Sequence, residues 1–315
     1  MELKILRPPV DPAFVAMTFP AYRHLLEGEV GPKIRGEAGV PTVQTVAVGG
    51  FVGPKPAGLA LVALPLSGDV PPELLSVFVV SEFRGRGFGR TLVRAAERVV
   101  SSAGFSSISA VWTEGSGGSP WWERVSRELG WSAGEKRTLS VVFTAEQALR
   151  FPWLDRFPVR EGCEIVPFAT VTPEEMEALE ASQAKTPWIA PDLVPWRYVE
   201  EGFEEKTSVA LRSPEGIMGW VINHALSRDW LRFTCSYIRK DWGRRGRILP
   251  LFSESIHRMV NAGYTRASFV APVRHPTMVQ FVEKHLAPWA ERAAWTVGAV
   301  KALDAQPAAV SPRSG

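Results

Sequence analysis

The stretch SEFRGRGFGR, residues 81–90, constrains the chain more than any other. It stands between the apolar run Leu74 to Val80 and an amphipathic pattern from Thr91 to Ser102. A short continuous apolar run reads as a strand buried on both faces. Leu92, Val93, Ala96, Val99 and Val100 give the helical spacing that follows. A strand–turn–helix of this kind offers backbone N–H groups and the positive end of the helix dipole at the turn. Gly85, Gly87 and Gly89 keep Cβ atoms away from an approaching phosphate, while Arg84, Arg86 and Arg90 add charge. The glycine spacing is not G-x-G-x-x-G, and no Lys-Ser/Thr pair follows to make a Walker loop. Residues 84–90 are therefore expected to form an anion cradle of another kind.

A worn copy, KDWGRRGRIL, returns at residues 240–249. Around each turn the same order of elements is legible. In the first half, strands fall at residues 2–7, 43–51, 58–66, 74–80, 108–112 and 139–143. Helices fall at 11–26 (capped by Asp11), 88–102 and 120–129 (closed by Gly130). In the second half, a strand at 164–168 is followed by a helix from Pro173. Thr172 and Glu175 form a capping box for that helix, which continues at 192–201. Strands at 208–212, 216–226 and 230–239 lead to the second turn. A helix at 248–261, a strand at 267–271, a helix at 276–286 and a strand near 295–302 complete the order. Shared element order with a shared turn position is the signature of duplication. The expected architecture is α/β (α+β): two tandem domains, each a mixed, mostly antiparallel central sheet flanked by helices. The boundaries read as 1–144 and 164–303, with 145–163 a packing linker and 304–315 a disordered tail.

Composition narrows the function. A formal net charge of +3 argues against a dedicated nucleic-acid binder. Two widely spaced cysteines, Cys163 and Cys235, define neither a zinc site nor a disulfide framework and suit a reducing cytoplasm. MELKILRPPV lacks the apolar stretch of a signal peptide, and no run approaches a membrane span. The expectation is a cytoplasmic protein, monomer or homodimer, with no membrane, nucleic-acid or metal partner.

The strand, the turn Arg84-Gly85-Arg86-Gly87-Phe88-Gly89 and the helix together resemble the acyl-CoA signature (Q/R-x-x-G-x-G/A) of the GCN5-related N-acetyltransferases. The resemblance covers about residues 2–144 well and about 164–302 as a weaker second copy. It implies an acyl-CoA-dependent N-acyltransferase that moves an acetyl or longer acyl group from CoA to a small-molecule or peptide amine by direct attack. It also implies roles for residues. Val77, Phe78 and Val79 would pair with the pantetheine arm as an added strand. Residues Arg84 to Arg90, Phe88 included, would hold the pyrophosphate. Ser119 falls loosely where many members carry an Asn that contacts the cofactor. Glu114, at the end of the 108–112 strand, falls where some members carry a general base, and Glu73, opening the strand before the turn, is the alternative. Tyr22 and His24 lie on the helix that borders the acceptor cleft.

Two departures stand out. The family's usual acid, a Tyr four residues before the helix-ending glycine, is Ser126 here. In the second turn Gly243 falls opposite Arg84, Gly246 opposite Gly87 and Ile248 opposite Gly89, so a β-branched residue replaces the last glycine. The second half is thus expected to be degenerate toward CoA. Alternatives remain open: a non-catalytic acyl-CoA-binding or scaffold protein, or an acyl-CoA-processing enzyme such as a decarboxylase.

Overall fold

A computed structural model describes residues 1–7, 9–27, 43–65, 70–240 and 248–304. The elements, in chain order, are β1 (Glu2–Leu6), α1 (Pro12–Val15), α2 (His24–Glu27), β2 (Val43–Val52), β3 (Lys55–Pro65), β4 (Glu73–Val79), α3 (Phe88–Ser102), β5 (Ser107–Thr113), α4 (Ser119–Glu128) and β6 (Glu135–Thr144). They continue with α5 (Ala145–Ala148), β7 (Glu164–Pro167), α6 (Pro173–Lys185), α7 (Pro195–Glu201), β8 (Val209–Ser213), β9 (Gly216–Ala225), β10 (Trp230–Ile238), α8 (Leu249–Asn261), β11 (Arg266–Pro272), α9 (Pro276–Phe281) and β12 (Arg292–Ala302). Among the described residues no helix is long and apolar enough to cross a membrane.

The chain divides into two compact units. Unit 1 is Met1–Lys136 together with the chain from Thr296 onward; unit 2 is Arg137–Trp295. In unit 1 the strands pair in the order β1-β2-β3-β4-β5-β12, and only β4 and β5 run parallel. In unit 2 the order is β7-β8-β9-β10-β11-β6, and only β10 and β11 run parallel. Each unit is thus a mixed, mostly antiparallel sheet. In unit 1, Leu92, Val93, Ala96 and Val100 of α3 pack on one face with Val62, Leu74 and Ile108. Phe14, Met17 and Leu26 cover the other face over Leu59, Leu61 and Leu75.

The boundaries differ from those expected. The strand before residue 144 does not complete the first domain: β6 pairs with β11, from Arg266↔Thr144 to Pro272↔Thr138. The last strand of unit 1 comes instead from the C-terminal end, where β12 pairs with β5 from Thr296↔Thr113 to Ala302↔Ser107. The two halves have exchanged their final strands. β12 is anchored by more than its ladder. Lys301 Nζ donates to Glu97 Oε2 (2.7 Å), and Trp131 Nε1 donates to Glu97 Oε1 (2.9 Å), with Glu97 itself buried in α3. Removing one partner of such a buried pair typically costs about 3–5 kcal/mol.

Local differences have plain causes. The expected helix at 11–26 is broken into α1, a 3-10 turn at Pro20–Tyr22 and α2, because Phe19 before the proline is extended (φ −62°, ψ 146°) and Pro20 donates no N–H. The segment 186–194 is not helical, and α7 begins only at Pro195. The helix from Pro276 widens to a π turn over Val282–Leu286. The linker is part of unit 2: Thr144 and Gln147 make a capping box for α5, and Phe151 and Trp153 are buried in its core. Residues 241–247, which hold Gly243, Arg244, Arg245, Gly246 and Arg247, and the tail beyond Asp304 lie outside the described residues.

A fragment of residues 1–144 keeps β6 but lacks β12, leaving the β5 edge unpaired and Glu97 without Lys301. It is expected to melt non-cooperatively or aggregate. Residues 1–136 joined by a flexible linker to 292–304 are expected to give a cooperative thermal transition by circular dichroism. Cooperative folding of 1–144 alone would contradict the exchange.

Candidate functional site

In unit 1 the parallel strands β4 and β5 part almost as soon as they meet. They pair only at Glu73↔Ser109 and Leu74↔Ala110. Against β3 the register steps from Val62↔Leu74 to Leu61↔Ser76, leaving Leu75 as a bulge. Beyond it, Val80 N donates to Ala57 O, and Phe78 O lies 2.7 Å from where a Cβ on Gly58 would stand. Residues 78 and 80 therefore turn their peptide groups to β3. By strand alternation those of Val77 and Val79 face the gap. Gly58 has no room for a side chain, pressed between that carbonyl and Leu92 Cδ1 at 2.8 Å.

At the open end of the gap lies the glycine-rich turn. Gly85 (φ +76°) and Gly87 (φ +78°) occupy the left-handed region, and nothing lies within 4 Å of where their Cβ atoms would be. Gly87 is the N-cap of α3 and offers no side-chain cap, so the first N–H groups of the helix are left for another acceptor. Gly89 has a different reason to be glycine. A Cβ there would stand 2.5 Å from Trp121 Cζ2, so the indole of α4 lies flat against the first turn of α3. Open space thus lies beside Gly85 and Gly87, whereas the space beside Gly89 is taken by Trp121.

The arginines also differ. Arg84 turns back: its Nε donates to Val79 O (2.9 Å) and its guanidinium lies over Phe78, 5.5 Å from the ring centre. Arg86 lies over Phe83 at 5.8 Å, and the Phe83 and Phe88 rings are 6.3 Å apart. Arg90 is paired with Glu128 of α4. Ser119 is buried at the start of α4, with its Oγ donating to Ser116 O (3.0 Å). Ser126 is buried with its Oγ given to Glu123 O (3.3 Å).

The two candidate carboxylates stand at opposite ends of the gap. Because β4 and β5 are parallel, Glu114, one residue past β5, lies exposed at the end that carries the cradle. Glu73 lies where the strands still pair, roughly 20 Å along β4 from Val79 at about 3.3 Å per residue. Glu73 has a neighbour. Tyr22 packs on the cluster that contains Ala63 and Leu75, and Ala63 is the cross-strand partner of Glu73. Burial first, and the nearby Glu73 charge second, raise the Tyr22 phenol above its ordinary value. His24 is half-buried at the start of α2, its Nε2 without a hydrogen-bond partner. Thr18 and Ser76, joined by a buried hydroxyl–hydroxyl bond of 2.8 Å, lie on the same side of the bulge. Neither they nor Trp121 carries a sequence signal that marks it.

Unit 2 repeats the geometry. β10 and β11 pair up to Phe233↔Phe269, and a bulge at Thr234 follows. Equivalent residues stand 159 apart, as 74 is from 233 and 110 from 269. The same offset relates the helix ends, where Phe105 N bonds Val100 O and Tyr264 N bonds Met259 O. Gly219 repeats Gly58, since its Cβ would lie 2.7 Å from Tyr237 O. The chemistry does not repeat. Glu73 is matched by Arg232 and Ser76 by Cys235, a free thiol pushed up to about 12 by burial. The segment 188–193 is tied down by Tyr237 Oη to Trp188 O (2.9 Å) and Trp220 Nε1 to Leu193 O (3.1 Å). Asp192 accepts from both Arg274 (2.7 Å) and His275 (2.7 Å) at the start of α9. Burial works against the Asp192 charge, but the bonds from His275 and Arg274 outweigh it and hold the carboxyl below its ordinary value.

Against known proteins, residues 46–117 match the sequence profile of the acetyltransferase (GNAT) family. No curated protein matches the chain in sequence. A GCN5-related N-acetyltransferase from Sphaerobacter thermophilus is similar over 87% of this chain and 84% of its own, with TM-score 0.56 and 17% identity. A tandem GNAT protein from the clavulanic acid biosynthesis pathway is similar over 97% of this chain and 99% of its own, at 0.58 and 16%. A GCN5-related glucosamine N-acetyltransferase region of a fungal multi-domain GH3 β-N-acetylglucosaminidase covers 95% of this chain and 38% of that one, at 0.59 and 13%. The fold is that of the GCN5-related N-acetyltransferases, present twice. The stretch that matches the acetyltransferase (GNAT) family profile carries β4, the glycine-rich turn and β5.

Two expectations follow. Gly89→Ala drives Trp121 off α3 and lowers the melting temperature, at a cost of about 1–3 kcal/mol for overpacking. The double variant Gly89→Ala/Trp121→Leu recovers most of it, and failure of that rescue would sink the packing account. Asp192→Asn weakens unit 2 at neutral pH. Because the folded carboxyl sits below its unfolded value of about 3.9, its stabilisation is complete above that pH and is lost as pH falls through the folded value. Denaturation curves of wild type and Asp192→Asn are thus expected to converge at low pH.

Proposed function

We propose that unit 1 binds an acyl-CoA in the gap between β4 and β5 and transfers its acyl group to an amine, with Glu73 as the general base. The observation that carries this reading is a strand edge that β5 leaves unpaired, with a glycine-rich helix start at its open end and a carboxylate at its closed end. CoA fits that polarity. Its pyrophosphate would lie on the N–H groups of the α3 first turn, flanked by the open space at Gly85 and Gly87. Its pantetheine amides would pair with Val77 and Val79, displacing Arg84 Nε from the Val79 carbonyl. The thioester then reaches the bulge at Leu75, beside Ser76, Thr18 and Tyr22.

The chemistry is a direct displacement. The amine nitrogen attacks the thioester carbonyl, the C–N bond forms and the C–S bond breaks. The proton lost by the amine goes to the Glu73 carboxylate, and the CoA thiolate leaves and takes up a proton. Glu73 is preferred to Glu114 because it lies at the closed end, where the acyl group arrives, whereas Glu114 stands beside the phosphate end. Tyr22, kept protonated by burial and by the Glu73 charge, is the hydroxyl available near the reacting atoms now that Ser126 is spent on a backbone carbonyl. It would orient the amine or return the proton to sulfur. Ser119 would act on the cofactor only through the loop it braces. Unit 2 lacks the carboxylate at this position and would not carry the same reaction.

Glu73→Gln is expected to lower kcat by about 10²–10⁴ with acetyl-CoA affinity unchanged. Glu114→Gln should change kcat by less than about threefold on the same scale of effects. Gly87→Val should abolish acetyl-CoA binding by calorimetry. Tyr22→Phe should flatten the alkaline side of the kcat profile. Tight acetyl-CoA binding without amine-stimulated thiol release, across a panel of small amines and peptides, would replace this reading with a non-catalytic acyl-CoA-binding role.

A further inference from the structure

The position that holds Glu73 in unit 1 holds Arg232 in unit 2, a reversal of charge at an otherwise repeated site. Arg232 is half-buried on β10, and its Nε is buried without a hydrogen-bond partner. Two residues before it on the same strand, Trp230 has a buried indole Nε1 that is also without a partner. Residues i and i+2 of a strand share one face, and the bulge lies beyond both, at Thr234. Two buried donors, one on a positively charged group, therefore share one face of the strand, and neither has a hydrogen-bond partner.

The surroundings fit an anion. Arg232 pairs across the sheet with His224, whose Nδ1 is 2.9 Å from Thr234 Oγ1 and whose ring lies 6.0 Å from that of Tyr198. On the other side its parallel partner is Ser268, buried on β11. Arg266, the parallel partner of Trp230, stacks over the indole at 5.4 Å but is engaged by Glu291. Asp192 is engaged by Arg274 and His275. Arg266 thus has a carboxylate of its own, whereas among the described residues none pairs with Arg232. A buried guanidinium nitrogen left without an acceptor is costly to retain.

We propose that unit 2 holds a binding site for a small carboxylate at Trp230 and Arg232, in the place where unit 1 carries its base. A carboxylate has two acceptor oxygens in one plane, so one oxygen takes the indole N–H and the other the guanidinium Nε–H. The duplication has then kept the strand and the bulge but exchanged a proton acceptor for an anion receptor. The site does not depend on acyl transfer in unit 1.

The test is a titration of the full chain, labelled with ¹⁵N at tryptophan, with acetate, succinate and inorganic phosphate at constant ionic strength. Trp230→Phe assigns the Trp230 indole resonance. Acetate or succinate is expected to shift that resonance saturably and to raise the melting temperature with concentration, as binding to the native state requires. Phosphate is expected to leave it in place. Arg232→Met should weaken the carboxylate by at least roughly tenfold, as loss of a charge-assisted bond does, while acetyl-CoA binding is unchanged. A resonance that no carboxylate shifts saturably overturns the site, with or without a folded Arg232 variant. So does equal carboxylate affinity in a folded Arg232→Met. Saturation by phosphate in place of the carboxylates overturns the ligand class.

Discussion

The whole arrangement depends on one ladder that stops early. A parallel strand pair normally continues as long as both strands last, because unpaired peptide groups are costly. Here β4 and β5 exchange bonds only at the Glu73 and Leu74 level and then separate, while β3 and β12 keep the outer edges occupied. The bulge at Leu75 bends β4 away and turns its peptide groups into the gap. The open edge sets where a polar ligand chain can lie, the helix that follows sets which end takes an anion, and the surviving pair sets where a base can stand. Glycine at 58 lets β3 and α3 close on β4 from behind without filling the gap.

Much of this was legible in the sequence, and the rest was hidden for identifiable reasons. The turn at 81–90 announces itself because backbone conformation at Gly85 and Gly87 and the helix start at Phe88 are local properties. The duplication is legible because the second turn keeps its place between strand and helix. The exchange of β6 and β12 is not, since alternation identifies a strand without naming its partner, and both strands follow the same element in their own half. The relative standing of Glu73 and Glu114 was also out of reach. Which end of β4 holds the surviving pair is a fact about register. Gly89 misled for a similar reason: its partner, Trp121, is more than thirty residues away in an unmarked helix.

The two units show how a duplicated scaffold drifts. Backbone features persist: the bulge, the helix-ending turns at Gly104 and Gly263, and the cramped glycines 58 and 219. Side chains at matched positions have changed sign or size, as at Glu73 and Arg232 or Leu74 and Phe233. Unit 2 has placed rings at Phe233, Phe252 and Phe269 where the same offset gives Leu74, Val93 and Ala110 in unit 1, while Phe281 answers to Trp122.

The exchanged strands impose an order in time. As the chain leaves the ribosome, β6 is made early and waits for β11, whereas unit 1 waits for residues 296–302, which follow the whole of unit 2. The half with the open gap is therefore completed after its neighbour. A chain cut short by a frameshift or a protease near residue 295 would keep every strand of the second sheet and lose the closing strand of the first. Loss of residues 296–302 thus removes a strand from the first sheet while leaving the strands of the second in place.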